Sequence, residues 1–178
     1  MKNVPDDEIW ETWESILLKT TVLGHKVADA IRAENTRIDM ITVVPRGGLF
    51  ITNIIGRQLG LSGDAVVSLG LSRFSREHPT KSGEFKIGQL PSREDVEGKV
   101  ILLADEVNDT GETTKKAKDI LLELGAKKVY TAAVHYKPGK NTTGEAPDFY
   151  VQASDGWIHY PWEVIDSIGD LYHKISNK

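Results

Sequence analysis

The chain has 178 residues, of which 39% are hydrophobic and 27% charged; this is the composition of one folded domain and too apolar for a disordered segment. Cysteine is absent, which excludes disulfides, thiolate nucleophiles, iron–sulfur clusters and cysteine zinc sites, and fits a reducing compartment. Lys and Arg total 22 against 26 Asp and Glu, and the resulting net charge of −4 argues against a general nucleic-acid binder.

The longest apolar run, Val100-Ile101-Leu102-Leu103-Ala104, is far short of the roughly 20 residues that span a bilayer, so no membrane association is expected. The first residues turn acidic at once and have no apolar core; a secretory signal is therefore not expected, and the expected location is cytoplasmic. No internal repeat is visible, so the expectation is a single domain over residues 1–178.

In chain order, Ile9, Trp13, Ile16, Leu17, Leu23, Val27 and Ile31 fall on one face and predict an N-terminal helix over 6–34, with Gly24 as a point where it could break. Ile38–Val44 reads as a buried β-branched strand, followed by a Pro45-Arg46-Gly47-Gly48 turn and a helix from Leu49 to Leu59. Ala65–Leu69 is a second strand. Residues 72–83 are polar, basic and rich in turn formers, a loop long enough to be functional or mobile. A short strand over 84–89 follows.

Lys99–Ala104 is the strongest strand signal in the chain. It leads into Asp105-Glu106-Val107-Asn108-Asp109-Thr110-Gly111-Glu112-Thr113-Thr114 and a helix from Glu112 to Leu124. Lys128–His135 and Phe149–Ala153 read as strands, 137–147 as a loop, 156–163 as an aromatic-rich turn, and 163–175 as a helix. Strands alternating with helices predict an α/β fold with a mostly parallel central sheet flanked by helices, and ligands in such sheets lie at the carboxyl ends of the strands. Residues 45–48 and 105–114 both fall there.

Asp105, Glu106 and Asp109 crowd three carboxylates into five residues, an arrangement that calls for a cation or for ligand hydroxyls. Thr110, Gly111, Thr113 and Thr114 then open a helix, where free N–H groups and hydroxyls form an anion cradle. Acids plus cradle suit a sugar phosphate carrying a metal. The alternative for single residues is that Asp109 or Thr110 only caps the helix and the other acids are solvated.

The stretch Ile101–Thr113 resembles the phosphoribosyl-pyrophosphate (PRPP) motif of type I phosphoribosyltransferases: four apolar residues, two acids, two residues, then Asp-Thr-Gly-x-Thr. Val44–Leu49 resembles the diphosphate loop of the same family. His135-Tyr136-Lys137-Pro138 and Trp157–Glu163 are similar to the base-binding hood of its 6-oxopurine branch, most closely the xanthine–guanine (hypoxanthine) enzymes. The resemblance implies a small base-binding hood from 137–178 on a core over 36–136, with residues 72–83 as a flexible lid.

It also implies transfer of 5-phosphoribosyl from PRPP to N9 of guanine, xanthine or hypoxanthine. Diphosphate and a nucleoside monophosphate would be released, in purine salvage. In this reading PRPP is held by Arg46, Gly47, Gly48, Asp105, Glu106, Asp109, Thr110, Gly111, Glu112, Thr113 and Thr114. Asp105 and Glu106 hold Mg²⁺, and Asp109 is the catalytic base. Lys137, Trp157, Ile158 and Glu163 bind the purine, while Trp162 reads better as a core anchor. Arg73, Arg76 and Lys81 are either diphosphate contacts on closure or a solvated basic loop. A homodimer or homotetramer is implied. The alternatives are a PRPP- or nucleotide-binding regulator built on the same fold, and a transferase for a different base.

Overall fold

The computed structural model describes residues 8–72 and 85–163. In chain order the elements are β1 (Glu8–Trp10), α1 (Trp13–Ala33), β2 (Met40–Val43), α2 (Gly48–Gln58), β3 (Val66–Ser68), β4 (Leu71–Ser72), β5 (Lys86–Ile87), α3 (Arg93–Val96), β6 (Val100–Asn108), α4 (Glu112–Glu123), β7 (Lys128–Tyr136), β8 (Phe149–Ala153) and β9 (Trp157–His159). The central sheet has the order β3-β2-β6-β7-β8, and every neighbouring pair in it is parallel. This is the α/β architecture read from the alternation of strands and helices.

The period-2 alternation of β6 explains its place in the middle. Val100, Leu102 and Ala104 point into a core with Ile16, Leu23 and Val27 of α1 and Ile51 and Ile55 of α2. Ile101 and Leu103 point to the other face, against Ala117, Ile120 and Leu121 of α4. Both faces are covered, so the strand reads as one continuous apolar run. Each fully buried Leu or Ile here contributes ~1.5–3 kcal/mol of transfer free energy.

Three expectations are corrected. The helix expected over 6–34 begins only at Trp13, because Thr12 forms a capping box with Ser15. Residues 8–10, upstream of that cap, pair instead with β9, Glu8 opposite Trp157 and Trp10 opposite His159. The helix also runs unbroken through Gly24, which is buried against Gln58 of α2. Second, β6 does not end at Ala104. It continues through Asp105, Glu106 and Asn108 because β7 keeps pairing beside it, as far as Asn108 opposite Tyr136. Third, the stretch expected as an aromatic turn holds strand β9, which pairs with β1. The helix expected over 163–175 and most of the loop at 72–83 lie outside the described residues.

The sheet order places the site. From β2 the chain crosses outward to β3, and from β6 it crosses the other way to β7. The order therefore reverses between β2 and β6, and the loops leaving these two strands diverge to leave a crevice. Those loops are 44–47 and 109–111.

Candidate active site

A cleft of about 330 Å³ opens at this switch point, lined by Arg46, Gly47, Asp105, Glu106, Asp109, Thr110, Gly111, Thr113 and Thr114 among others. Two segments separated by about sixty residues in the sequence thus meet on one wall. The first is the turn after β2, which contains a cis Pro45–Arg46 bond. It approaches β6 closely: a Cβ on Gly47 would overlap the Glu106 carboxylate, and one on Gly48 would lie 3.0 Å from Asp105 Oδ1. The acid pair therefore faces this turn.

The second segment turns at Gly111, whose φ of 80° favours glycine, and opens α4. Helix geometry leaves the first-turn N–H groups of α4 without intrahelical acceptors, at the positive end of its dipole. The Thr110 hydroxyl donates to Glu112 at 3.0 Å, which fixes the side of the turn on which Glu112 lies. Gly48 and Glu112 do not line the cleft.

Three carboxylates, Asp105, Glu106 and Asp109, line the cleft together. Burial, reinforced by the neighbouring Glu106 carboxylate, pushes Asp105 well above the usual carboxylate range. Among the described residues nothing hydrogen-bonds to the buried Glu106 Oε2 or Asp109 Oδ1. Unsatisfied carboxylate oxygens of this kind fit a hard divalent cation that also takes oxygens from substrate and water. Among the described residues no group of three His, Cys, Asp or Glu side chains is gathered to hold a metal alone. A cation held partly by a bound ligand is the arrangement that matches.

The residues expected to bind a base are placed as follows. Lys137 is buried, with Nζ 4.0 Å from Asp109 Oδ1 and 5.5 Å from the centre of the Trp157 ring. Trp157 is 57% exposed, so its side chain is accessible to a ligand. The Ile158 side chain is buried in the core, which leaves only its main chain to face a ligand. Glu163 is drawn elsewhere: it accepts from Tyr160 N at 3.2 Å and borders a separate cavity with Trp10 and His159. Trp162 stacks on Tyr160, with centroids 4.8 Å apart, and on Phe50 at 5.0 Å, in keeping with a packing role. Arg73, Arg76 and Lys81 lie outside the described residues.

Sequence reasoning missed a buried polar group behind the acids. His135 is fully buried, with Nε2 3.0 Å from Glu11 Oε1 and Nδ1 2.9 Å from the Tyr160 hydroxyl. Because Nε2 faces a carboxylate it carries a proton and donates. Burial lowers His135 below the usual histidine range and raises Tyr160 above the usual tyrosine range. Burial also pushes Glu11 upward, but hydrogen bonds from Lys19 and Ser15 outweigh it and hold the carboxyl low. The Tyr160 hydroxyl also lies 3.1 Å from the Glu106 carbonyl. The available signal was a histidine ending an apolar strand, Val134-His135, and nothing local named its partners.

The phosphoribosyl transferase domain matches residues 14–166, most of the chain. The chain belongs to the phosphoribosyl transferase family. Its fold is shared with the purine phosphoribosyltransferase of Pyrococcus horikoshii (TM-score 0.68, 25% identity, 88% of this chain and 93% of that one). It is shared equally with the xanthine–guanine–hypoxanthine phosphoribosyltransferase of Helicobacter pylori (TM-score 0.71, 20% identity, 92% and 99%). Among curated sequences it is similar to the ribose-phosphate pyrophosphokinase of Pyrococcus furiosus, 36% identical over 70 residues, or 39% of this chain. The chain spans about a quarter of the length of these curated relatives. The resemblance read from Ile101–Thr113 and Val44–Leu49 is therefore borne out at the level of family and fold. No described helix is long and apolar enough to cross a membrane.

Proposed function

We propose that the protein transfers 5-phosphoribosyl from PRPP to N9 of a 6-oxopurine, with release of diphosphate. One observation carries this reading. Lys137 lies within 4.0 Å of Asp109 and 5.5 Å of the Trp157 ring, directly beside the cleft that gathers the acids and the phosphate cradle. A cation aimed at a carbonyl oxygen beside an open aromatic face selects an oxopurine over adenine, whose amino group is a poor partner for an ammonium.

In this mechanism the N–H groups and hydroxyls of Thr110–Thr114 hold the 5′-phosphate, and Asp105 and Glu106 face the ribose. Arg46 and the backbone of Gly47 hold the diphosphate as the C1′–oxygen bond breaks. Asp109 takes the purine ring proton as the C1′–N9 bond forms. Mg²⁺, held by Asp105 and Glu106, would supply charge neutralisation at the leaving diphosphate. The transition state is expected to be oxocarbenium-like, so the chain contributes chiefly charge placement and exclusion of water.

The test is a PRPP-dependent assay with Mg²⁺ against guanine, hypoxanthine, xanthine, adenine and uracil separately. Nucleotide from at least one 6-oxopurine, none from adenine or uracil, and loss with EDTA are the expected results. No product from any base would move the assignment to a PRPP- or nucleotide-binding regulator.

A further inference from the structure

Asn108 is almost fully buried at the end of β6, between the acid pair and Asp109, and its hydrogen bonds lead to two other segments, the first turn of α4 and the loop that begins at Lys137. Its carbonyl accepts from Lys137 N at 3.0 Å. Its Nδ2 donates to Thr114 Oγ1 at 3.0 Å, and its Oδ1 accepts from Asn141 Nδ2 at 3.3 Å.

The orientation of both amides is fixed by the backbone. Asn141 Oδ1 faces the N–H groups of Thr143 and Gly144, each at 3.0 Å, and these can only donate. Asn141 Nδ2 must then be the end that points away, where it donates to the Glu145 carbonyl at 3.0 Å and to Asn108. Asn108 must accordingly present oxygen to Asn141, which leaves its own Nδ2 for Thr114.

A second connection runs alongside. Thr142 donates to the Thr110 carbonyl from both its N, at 2.9 Å, and its hydroxyl, at 3.2 Å. The two loops lie so close that a Cβ on Gly111 would come within 2.7 Å of Asn141 Nδ2. The loop that begins at Lys137 therefore grips the turn that cradles the phosphate at Thr110 and, through Asn108, at Thr114.

We propose that Asn108 and Asn141 are positioning residues, a paired-amide clamp that holds the phosphate turn 110–114 in register with the base-side loop 137–145. The proposal rests on the functional reading above and deepens it. Neither residue touches substrate in this account. Asn108 keeps the first turn of α4 facing the cleft, and Asn141 keeps Asn108 in the one orientation that can do so. An amide pair is needed because each residue must both donate and accept, which a buried apolar residue of similar size cannot do.

The experiment uses the full chain and the variants Asn108→Leu, Asn141→Ala and the double variant. PRPP binding with Mg²⁺ is measured by calorimetry, KM for each substrate by the transfer assay, and folding by thermal unfolding. Each single variant is expected to weaken PRPP binding about tenfold while the KM for the purine changes less than twofold. The double variant is expected to bind no more weakly than the worse single variant. Asn141 lies on a surface loop, so that variant reports on the clamp even where Asn108→Leu lowers folding stability. Unchanged PRPP affinity in Asn141→Ala, or fully additive losses in the double variant, would overturn the clamp. Absence of PRPP binding by the unaltered chain would overturn the functional reading and the clamp with it, an outcome distinct from either of those.

Discussion

The end of the cleft proposed to hold phosphate comes from one short run of chain, residues 105–114, with the turn at 45–48 set against it. The proposed base end draws on β1, β7 and β9, whose residues lie up to about 150 positions apart, as in the His159–Glu8 contact at 3.2 Å. The first region is a backbone device: a left-handed glycine, a helix start and a glycine turn that admits a carboxylate. The second is a side-chain device, an exposed Trp157 beside a buried Lys137, supported from behind by Glu11, His135 and Tyr160. Backbone devices suit phosphates, which every donor carries, whereas side-chain devices suit the base, which varies. Changes at the two ends should therefore show in different kinetic constants.

The largest effect is expected where the two ends meet. Asp109→Asn keeps the shape of the turn but removes the proton acceptor, so turnover is expected to fall by ~10²–10⁴-fold while PRPP affinity measured by calorimetry stays within a few-fold. Turnover like that of the unaltered chain would remove Asp109 from the chemistry. Next comes Lys137→Met, which keeps the buried stem and deletes the charge. A hydrogen bond from a charged group contributes ~1.5–3 kcal/mol, so the KM for the purine should rise by about ten- to a hundredfold with the KM for PRPP little changed. An equal rise in both constants would mean that the two ends are not separable in this way.

A smaller effect concerns stability at the phosphate end. The folded chain raises Asp105 above its ordinary value of 3.8, so the native state loses stability as the pH climbs from that range towards the raised value. Without divalent cation, Asp105→Asn is expected to raise Tm by about 2–4 °C at pH 7, with the gain shrinking at pH 5. Added Mg²⁺ should raise the Tm of the unaltered chain more than that of the variant.

The smallest effect lies behind the base end. Burial lowers His135, so the unfolded chain takes up a proton first as the pH falls through about 6.5, and native stability drops there. Glu11 is held low by Lys19 and Ser15, so its own loss comes only in more acidic solution. The fall in Tm between pH 7.5 and 5.5 should therefore be smaller in His135→Gln than in the unaltered chain, read by thermal unfolding at matched ionic strength.

The same contrast explains what could be read from the sequence. Asp105, Glu106, Asp109 and Thr110–Thr114 are legible because their chemistry is local: acids after an apolar strand and hydroxyls at a helix start need no knowledge of the rest of the fold. The continuation of β6 through Asp105 and Glu106 is not legible, since it depends on β7 supplying partners as far as Tyr136. Strand β1 is hidden for the same reason, because Ile9 also fits a helical spacing with Trp13 and only β9 decides the matter. The clamp made by Asn108 and Asn141 joins the end of β6 to the 137–145 loop through side-chain amides, and neither amide carries a local pattern that points to the other.

One bound product would span both regions, so the decisive measurement is a crystal structure of the chain with a 6-oxopurine nucleoside monophosphate. The expected result is the 5′-phosphate on the backbone of Thr110–Thr114, the ribose beside Asp105 and Glu106, and the base against Trp157 with its 6-oxo group on Lys137. A phosphate seated away from that turn, or a base that leaves Trp157 and Lys137 untouched, would contradict it.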